Sequence, residues 1–212
     1  MSESSIETAV RDEYNKLASV YDRRWHNYIS HSLSFLDNWV DIPSEASVLD
    51  LACGTGEFAK LLLTKNPQQH ITGIDISKQM LAKAENKLRA YPNVKLQNAA
   101  VKKLPFGDAS FEIVICANAF HYFEFPQQTL TEIKRVLKPN GKLIILDWCR
   151  DYVLMKILDA WLKIFNSAHQ KCYTQAELNR LLLSTDFNVI KDEKTRFGII
   201  WELMALTAIV PK

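Results

Sequence analysis

Glycine, cysteine and long hydrophobic runs are all scarce in this sequence. Only six of the 212 residues are glycine, so a place where two of them lie close together is informative. The four cysteines are widely separated and form no C-x-x-C pair, which argues against a zinc site and favours reduced thiols. No apolar run reaches the length of a membrane span, so we predict no membrane-spanning helix.

Charge of neither sign is concentrated in any one region. The 26 basic and 24 acidic side chains are well mixed and leave a net charge of +2, which argues against a nucleic-acid partner. Residues 1–7 lack both a basic start and an apolar signal core, so we expect a cytoplasmic protein. The hydrophobic share of 48% is typical of a globular chain, and 212 residues are most simply one domain.

Two of the six glycines, Gly54 and Gly56, fall within the segment Val48–Ala59. A short apolar run containing Asp50 leads into a Gly-x-Gly turn, and a helical pattern follows. A strand, a tight loop and a helix start in this order form the place where open α/β sheets bind nucleotide-like cofactors. The segment therefore predicts a cofactor loop, and an ordinary strand–turn–helix is the simpler alternative.

The charge of Asp50 separates two cofactor classes. The run Gly54–Ala59 also fits the G-x-G-x-x-G/A fingerprint of dinucleotide-binding proteins. A carboxylate just before the loop would repel a pyrophosphate, whereas S-adenosylmethionine (SAM) has no phosphate and carries an ammonium and a sulfonium. The segment resembles the first motif of class I SAM-dependent methyltransferases. The resemblance implies that the cofactor is bound by Asp50, Gly54, Thr55 and Gly56.

Strand and helix patterns alternate through the middle of the chain. The predicted strands are 47–51, 71–76, 94–97, 111–116 and 142–148, and the predicted helices are 57–65, 78–90 and 127–137, the last ended by Pro139–Gly141. Ser77 is the predicted N-cap of the second helix. We therefore predict an α/β fold with a Rossmann-like, doubly wound and mostly parallel sheet.

The two ends of the chain differ from this core. The N-terminal part is helical and aromatic in pattern, and near the C-terminus Thr174 and Glu177 form a predicted capping box before strands 188–193 and 199–210. In the resembled family, the last two strands form an antiparallel hairpin. We predict one methyltransferase domain over 1–212, with the parts 1–45 (helical cap), 46–148 (SAM-binding core) and 149–212 (lid helix and closing strands).

Asp75 supplies the second cofactor signal. It ends the second predicted strand about 20 residues after the glycine loop, where an acid can accept both ribose hydroxyls. The resemblance implies that Asp75 holds the ribose of SAM and that Ile76 packs on the adenine, with Met80 one helical turn further on. Alternatively, Asp75 could merely favour the N-terminus of the following helix.

The segment Asn98–Phe106 departs from the family pattern. It resembles a loop that usually contains Gly-Asp-Ala before Leu-Pro-Phe, and Ala100 stands where the adenine-binding aspartate is expected. The backbone amide of Val101 could still bond the ring, and Asn98 would replace the acid only in a shifted loop. Loss of one such hydrogen bond weakens binding by about 1 kcal/mol.

The segment Phe111–Phe123 resembles the fourth strand of the family, whose carboxyl end faces the methyl group and the acceptor. Asn118 and His121 fall near this end, so Asn118 is a predicted cofactor contact. His121 is the first candidate for a base, because histidine titrates near neutrality, although a lone histidine is often structural. Weaker candidates are His26, His169, Tyr122 and Asp147.

Two further segments bear on the acceptor. Leu17–Asp22 resembles the N-terminal part of small-molecule enzymes such as the quinone-biosynthesis C-methyltransferases, where it closes over the cofactor, so Tyr21 is a candidate contact. Its alternative role is that of an aromatic packed between helices. The helix 151–166 carries a wide apolar stripe that we expect to pack as core or lid. If it lines the pocket, the acceptor is partly apolar.

Three functions are compatible with these patterns. The leading hypothesis is a SAM-dependent methyltransferase acting on a small molecule that is partly apolar. A SAM-binding or regulatory protein without catalysis is the second, because Ala100 replaces the expected acid. A nicotinamide-dependent oxidoreductase is the third, and Asp50 opposes it.

Overall fold

The computed structural model describes residues 4–198 and 201–211, and in these ranges helices and strands alternate as the sequence predicts. The helices are α1 (Ser5–Leu17), α2 (Tyr21–Arg24), α3 (His26–Trp39), α4 (Glu57–Lys65), α5 (Lys78–Leu88), α6 (Pro126–Val136), α7 (Val153–Phe165) and α8 (Gln175–Leu183). The strands are β1 (Val48–Leu51), β2 (Ile71–Asp75), β3 (Val94–Asn98), β4 (Phe111–Ala117), β5 (Leu137–Trp148), β6 (Asn188–Phe197) and β7 (Trp201–Ile209). Residues 199 and 200, which begin the predicted last strand, lie outside the described ranges.

The strands form one sheet in the order β3-β2-β1-β4-β5-β7-β6. Strands β1 to β5 are parallel to one another, and β7 lies antiparallel between β5 and β6. The predicted fold class, including the antiparallel C-terminal hairpin, is confirmed. The strand order reverses between β1 and β4, and a crevice for a ligand forms at such a point, beyond the carboxyl ends of the strands.

The central strands are buried on both faces, as parallel sheets require. Neighbouring residues on β1 alternate between two hydrophobic clusters, with Leu49 in one and Val48 in the other. On β4, Val114 belongs to the same cluster as Leu49, and Ile115 belongs to the same cluster as Val48. Helices therefore cover the sheet on both sides, and the strands that carry the glycine loop and the predicted acceptor loop are held rigidly at its centre.

Both predicted helix caps are present. The Ser77 hydroxyl accepts a hydrogen bond from the Met80 amide at 3.1 Å and begins α5. The Thr174 hydroxyl accepts from the Glu177 amide at 3.1 Å, and the Glu177 carboxylate accepts from the Thr174 amide at 2.9 Å, which completes the capping box of α8. Each cap satisfies amides that the helix itself leaves unpaired, a contribution of about 1 kcal/mol.

β5 is longer than predicted. It begins at Leu137, directly after α6, so that Pro139–Gly141 lies within the strand rather than in a separate turn. The pairing with β4 shifts register between Phe111 and Ile113, which accommodates this segment. A Cβ at Gly141 would lie 2.8 Å from the Lys138 carbonyl oxygen, so the bend needs a residue without a side chain.

α7 departs from the prediction of core or lid packing. Its buried residues are Met155 and Asp159. Six of its large apolar side chains are exposed by 43–75%, namely Val153, Leu154, Ile157, Trp161, Ile164 and Phe165. The helix is thus turned so that Met155 and the carboxylate of Asp159 face the protein, while most of the apolar stripe faces outward. Among the described residues, no helix has both the length and the apolar character needed to cross a membrane.

Candidate active site

The glycine loop between β1 and α4 adopts the conformation that its sequence predicts. Gly54 has φ = +54° and Gly56 has φ = +78°, values that side chains disfavour. A Cβ at Gly56 would lie 2.9 Å from Cδ1 of Leu88, so this residue also lets α4 approach α5 closely. The Gly54 amide donates to Oδ2 of Asp75 at 2.9 Å and joins the two cofactor signals of the sequence.

Asp75 sits at the carboxyl end of β2 with its carboxylate already oriented. Its second oxygen accepts a hydrogen bond from the Ser77 amide at 2.8 Å. Burial raises its pKa to about 6, and the backbone hydrogen bonds oppose that shift. The carboxylate lines a cavity, so a ligand with hydroxyl donors can reach it.

Asp50 is buried beneath the same loop, and one of its oxygens, Oδ2, has no hydrogen-bond partner among the described residues. Burial and then repulsion from Asp75 raise its pKa to about 8. Near neutral pH the isolated protein therefore holds a proton on Asp50. A ligand with a positive charge would favour ionisation and relieve both effects.

The cavity occupies about 900 Å³, counting its open mouth. One wall consists of the carboxyl ends of β1, β2 and β4 and the loop after β3, and α1 and α2 contribute the other. Three tyrosines close it: Tyr14, Tyr21 and Tyr122. Burial is the largest cause that raises the pKa of each phenol, which keeps all three neutral and able to donate hydrogen bonds.

The cavity brings most of the predicted cofactor residues together. Those that line it are Tyr21, Gly54, Asp75, Ile76, Ala100, Val101 and Asn118. The other predicted site residues, Asp50, Thr55, Gly56, Met80 and His121, are not among its lining residues. Met80 is fully buried in the core, and Gly56 is the left-handed residue that begins α4. Thr55 instead hydrogen-bonds to Asp22 of α2, and the N-terminal helices that lie over the glycine loop are called the helical cover below.

A polar cluster fastens the N-terminal helices over the glycine loop. The Thr55 hydroxyl donates to Oδ1 of Asp22 on α2 at 2.5 Å. The Lys87 ammonium lies 2.9 Å from Asp22 and 3.2 Å from Thr55, and it also pairs with Glu57. Sequence reasoning missed this cluster, because its members come from three separate segments of the chain.

Asn118 begins a chain of hydrogen bonds away from the cavity. It has φ = +58°, an uncommon value outside glycine that turns the chain sharply after β4. Its side-chain oxygen Oδ1 accepts a hydrogen bond from the Tyr28 hydroxyl at 2.6 Å, and that hydroxyl accepts one from the Trp148 indole at 2.8 Å. The Asn118 side chain is therefore held by α3 and β5 where it meets the cavity.

His121 and Asp147 form a buried pair. Nδ1 of His121 lies 2.6 Å from Oδ1 of Asp147, and the backbone amide of His121 donates to Oδ2 at 2.8 Å. The ring stacks on Trp148 with centroids 4.3 Å apart. Asp147 is thus the partner of Nδ1, and Nε2 has no partner in the part of the chain that the structure describes.

A second histidine–aspartate pair lies beside the first. Nε2 of His169 is 2.8 Å from Oδ1 of Asp159 on α7, and its ring centroid is 5.7 Å from that of His121. Burial lowers the pKa of His169 and raises that of the Cys172 thiol. Sequence reasoning ranked His169 low and missed Asp159, because a single acid within an apolar stripe gives no signal of its own.

Potential metal-ligand atoms of Asp159, His169 and Cys172 lie within 4.8 Å of one another. The other oxygen of Asp159 accepts from the Lys163 ammonium at 2.7 Å, and the Cys172 amide donates to Oδ1 at 2.7 Å. Burial raises the pKa of Asp159, but these hydrogen bonds outweigh it and hold the pKa below its usual value. The cluster therefore acts as a hydrogen-bonded anchor that turns Asp159 of α7 inward.

Of the remaining base candidates, His26 lies apart from the others, which gather around His121. His26 is exposed on α3, and Asp147 is the orienting partner of His121. Tyr122 both lines the cavity and contacts the His121 ring, with centroids 4.1 Å apart. Tyr122 therefore connects the cavity with the two histidines.

Comparison with known proteins agrees with this geometry. A family model described as a methyltransferase domain matches residues 42–195. The demethylmenaquinone methyltransferase of Chlorobaculum parvum is 33% identical over 153 residues, which cover 66% of this chain and 60% of that protein. The chain thus matches somewhat less than two thirds of the length of this relative.

Solved structures show the same fold. A SAM-dependent methyltransferase of Thermotoga maritima, described as a possible histamine N-methyltransferase, has a TM-score of 0.74 at 19% identity, over 93% of this chain and 98% of that one. The [4+2]-cyclase SpnF has a TM-score of 0.79 at 17% identity, over 95% of each chain. The matched family model spans well over half of the chain, and the protein therefore belongs to the SAM-dependent methyltransferase family.

Proposed function

We propose that the protein transfers a methyl group from SAM to a small, partly apolar acceptor. The observation that carries this proposal is a pair of buried carboxylates at a left-handed glycine loop: Asp75 lines the cavity, and Asp50 lies buried beneath the loop. Two acids without a cation between them suit a ligand that carries positive charge and hydroxyl groups, and they oppose a diphosphate.

The residues present fit SAM at each of its parts. Asp75 would accept the ribose hydroxyls, and Asp50, whose Oδ2 has no partner among the described residues, would balance the ammonium. Ile76 would pack on the adenine, and the Val101 amide would bond its ring. When bound, SAM supplies a methyl group made electrophilic by the sulfonium. The protein then has to orient the acceptor and exclude water.

His121 is the proposed base for an acceptor that must lose a proton. Asp147 holds the ring through Nδ1, and Nε2 is free of other hydrogen bonds among the described residues. A ring oriented by one nitrogen, with the other available to a ligand, is the arrangement that general-base catalysis requires. Since Tyr122 lies between the ring and the cavity, the acceptor hydroxyl would approach beside or in place of this tyrosine.

The cavity and the relatives together support one acceptor class. The cavity presents aromatic and small apolar side chains, including Tyr14, Phe123 and Phe125. The relative from Chlorobaculum parvum is a demethylmenaquinone methyltransferase. A ring with a phenolic hydroxyl, such as a reduced naphthoquinone, combines an apolar body with a proton that a base can remove. We propose this class first.

The test has two stages. Calorimetry with demethylated SAM measures cofactor binding, and mass spectrometry then follows the gain of one methyl group on reduced naphthoquinones, catechols and imidazoles. Binding together with methylation of the hydroxylated rings supports the proposal. Failure to bind demethylated SAM at millimolar concentration would exclude it, and methylation of imidazoles alone would exclude the proposed acceptor class.

Ala100 favours a second candidate, a protein that binds SAM without transferring its methyl group. The expected acid is missing from the adenine loop, and the cyclase SpnF shares the fold. Binding of demethylated SAM without methylation across the acceptor panel would favour this candidate. A nicotinamide-dependent oxidoreductase is disfavoured, because the matched family is one of methyltransferases, which transfer a methyl group rather than a hydride.

A further inference from the structure

Glu124 brings an unsatisfied carboxylate to the cavity. It lies two residues before Pro126, the first residue of α6, and it is one of the residues that line the cavity. Its Oε2 is buried and accepts no hydrogen bond from any residue in the described ranges. A buried carboxylate oxygen without a donor is unfavourable, so this position calls for a donor from a ligand.

Glu124 belongs to the same end of the cavity as the loop after β3. The beginning of α6 packs on this loop, since the Gln128 amide donates to the Lys102 carbonyl at 3.3 Å. One turn later, the Glu132 carboxylate accepts from the Leu104 amide at 2.8 Å. Thr129 of α6 lines the cavity together with residues 99–102. Glu124 therefore enters the cavity beside the loop where this family binds adenine.

The loop itself offers no side-chain acceptor for the adenine amine. Ala100, at the position of the usual acid, ends in a methyl group. Asn98 does not replace it, because its amide donates to the carbonyl oxygens of Asp75 and Ile76, each at 2.9 Å. The Val101 backbone can donate to the ring but leaves the amine without an acceptor.

A second carboxylate, that of Glu7 on α1, also lines the cavity. Its Oε2 accepts from the Ser4 amide at 3.2 Å and from the Lys102 ammonium at 2.5 Å, so it serves as a helix cap and an ion-pair partner. Glu7 is therefore already paired, whereas Oε2 of Glu124 lacks a donor in the described chain.

We propose that Glu124 binds the exocyclic amine of adenine and replaces the acid missing at position 100. The proposal rests on SAM as the cofactor and is independent of the acceptor. It places the adenine-recognising carboxylate on the segment before α6, which follows β4, instead of the loop after β3. The chain thus keeps selectivity for adenine although the family motif is incomplete.

The test compares two ligands that differ only in the amine. Demethylated SAM is measured by calorimetry against its 6-deamino analogue, which keeps the ring nitrogens but carries hydrogen in place of the amine. The wild-type protein should prefer the amine-bearing ligand about tenfold or more, because a charged acceptor strengthens the hydrogen bond. Equal affinities would overturn the proposal without any variant.

Two matched variants locate the acceptor. Glu124→Ala should reduce the preference to within about twofold of unity, and Glu7→Ala should leave the ratio of the two affinities as in the wild type. The double variant Glu124→Ala/Ala100→Asp should restore the preference, because the acid returns at the usual position. Loss of the preference in Glu7→Ala, its persistence in Glu124→Ala, or no recovery in the double variant would each contradict the assignment.

These measurements separate the proposal from the proposed methyl transfer. The ratio of two binding constants does not depend on turnover, so an adenine preference carried by Glu124 can hold in a protein that methylates none of the tested acceptors. Conversely, methyl transfer combined with equal affinities for the two ligands would overturn this inference alone.

Discussion

Two buried aspartates at the same edge of the sheet have opposite surroundings. Asp50 on β1 faces another carboxylate and has one oxygen without a partner in the described residues, and its pKa is raised to about 8. Asp147 on β5 accepts hydrogen bonds from the amide and ring of His121 and from the Trp148 amide. The carboxylate of Asp50 lacks a partner that a cationic ligand could supply, whereas the carboxylate of Asp147 is satisfied by the protein and orients the histidine, whose Nε2 has no partner among the described residues. Both aspartates lie at the end of a strand, so their different neighbours determine their different roles.

The largest effect should come from the histidine side of this comparison. His121→Ala removes the proposed base, so we expect kcat for methylation of a phenolic acceptor to fall by about 10²–10⁴-fold. Affinity for demethylated SAM should stay within about twofold, since this residue does not line the cavity. Steady-state kinetics and calorimetry check the two parts. The control is His26→Ala, which changes an exposed residue of α3. An unchanged kcat in His121→Ala would exclude the proposed role of His121 as the base.

The next effect concerns Asp75 on the ligand side. In Asp75→Asn, the amide keeps one acceptor oxygen, but the charge that would hold the ribose hydroxyls is lost. We expect affinity for demethylated SAM to fall by about 10–100-fold. The control is Asp37→Asn, which removes the surface ion pair with Lys65. Calorimetry that finds equal affinity for Asp75→Asn and wild type would contradict the assignment of the ribose.

Asp50 should make stability depend on pH. Its pKa rises from an ordinary value near 4 in the unfolded chain to about 8 in the folded protein, so the folded state binds the extra proton between these values. The free energy of unfolding should therefore decrease as pH rises from about 4 to 8, by roughly 2 kcal/mol or more. Asp50→Asn should flatten this decrease.

Urea unfolding at pH 5 and pH 8.5 measures the Asp50 effect. The expected order is that Asp50→Asn exceeds the wild type in stability at pH 8.5, with a smaller difference at pH 5. The pH dependence that remains in Asp50→Asn comes partly from Asp75. The pKa of Asp75 is raised to about 6, so its ionisation also lowers the free energy of unfolding as pH rises. Parallel pH curves for variant and wild type would show that burial does not hold a proton on Asp50.

The smallest effect should come from the polar cluster over the glycine loop. Thr55→Val removes the hydrogen bonds to Asp22 and Lys87, and we expect the free energy of unfolding to fall by about 1 kcal/mol. Thr64→Val is the matched control, because the exposed Thr64 hydroxyl bonds within its own helix, to the Lys60 carbonyl. Equal urea midpoints for the two variants would mean that the cluster does not hold the helical cover.

Local signals predicted most of the fold. The caps at Ser77 and Thr174 and the strand β1 could be found from a few neighbouring residues, because hydrogen bonds within one turn and alternation along one strand determine them. The start of β5 was misplaced because Pro139–Gly141 has the composition of a turn, while the pairing of Leu137 with Phe111 of β4 begins the strand before it. Tertiary pairing overrode a local pattern there.

The orientation of α7 could not be predicted from its sequence. A wide apolar stripe normally faces the core, yet burial of Asp159 against His169, Cys172 and Lys163 turns the stripe outward. A buried carboxylate with several donors is far more favourable than one without them, so its partners determine the rotation of the helix. Two of those partners, His169 and Cys172, follow the helix in the sequence, and the apolar periodicity of the helix contains no information on them.

The sequence by itself determined the sheet, the glycine loop and the identity of the cofactor class, because spacing along strands and a short motif encode them. Only the tertiary structure decided the raised pKa of Asp50, the pairing of His121 with Asp147 and the oxygen of Glu124 that lacks a donor among the described residues. These properties depend on burial and on donors from distant segments. The sequence shows which polar groups the chain contains. Packing determines which of these groups lack a hydrogen-bond partner and can bind a ligand.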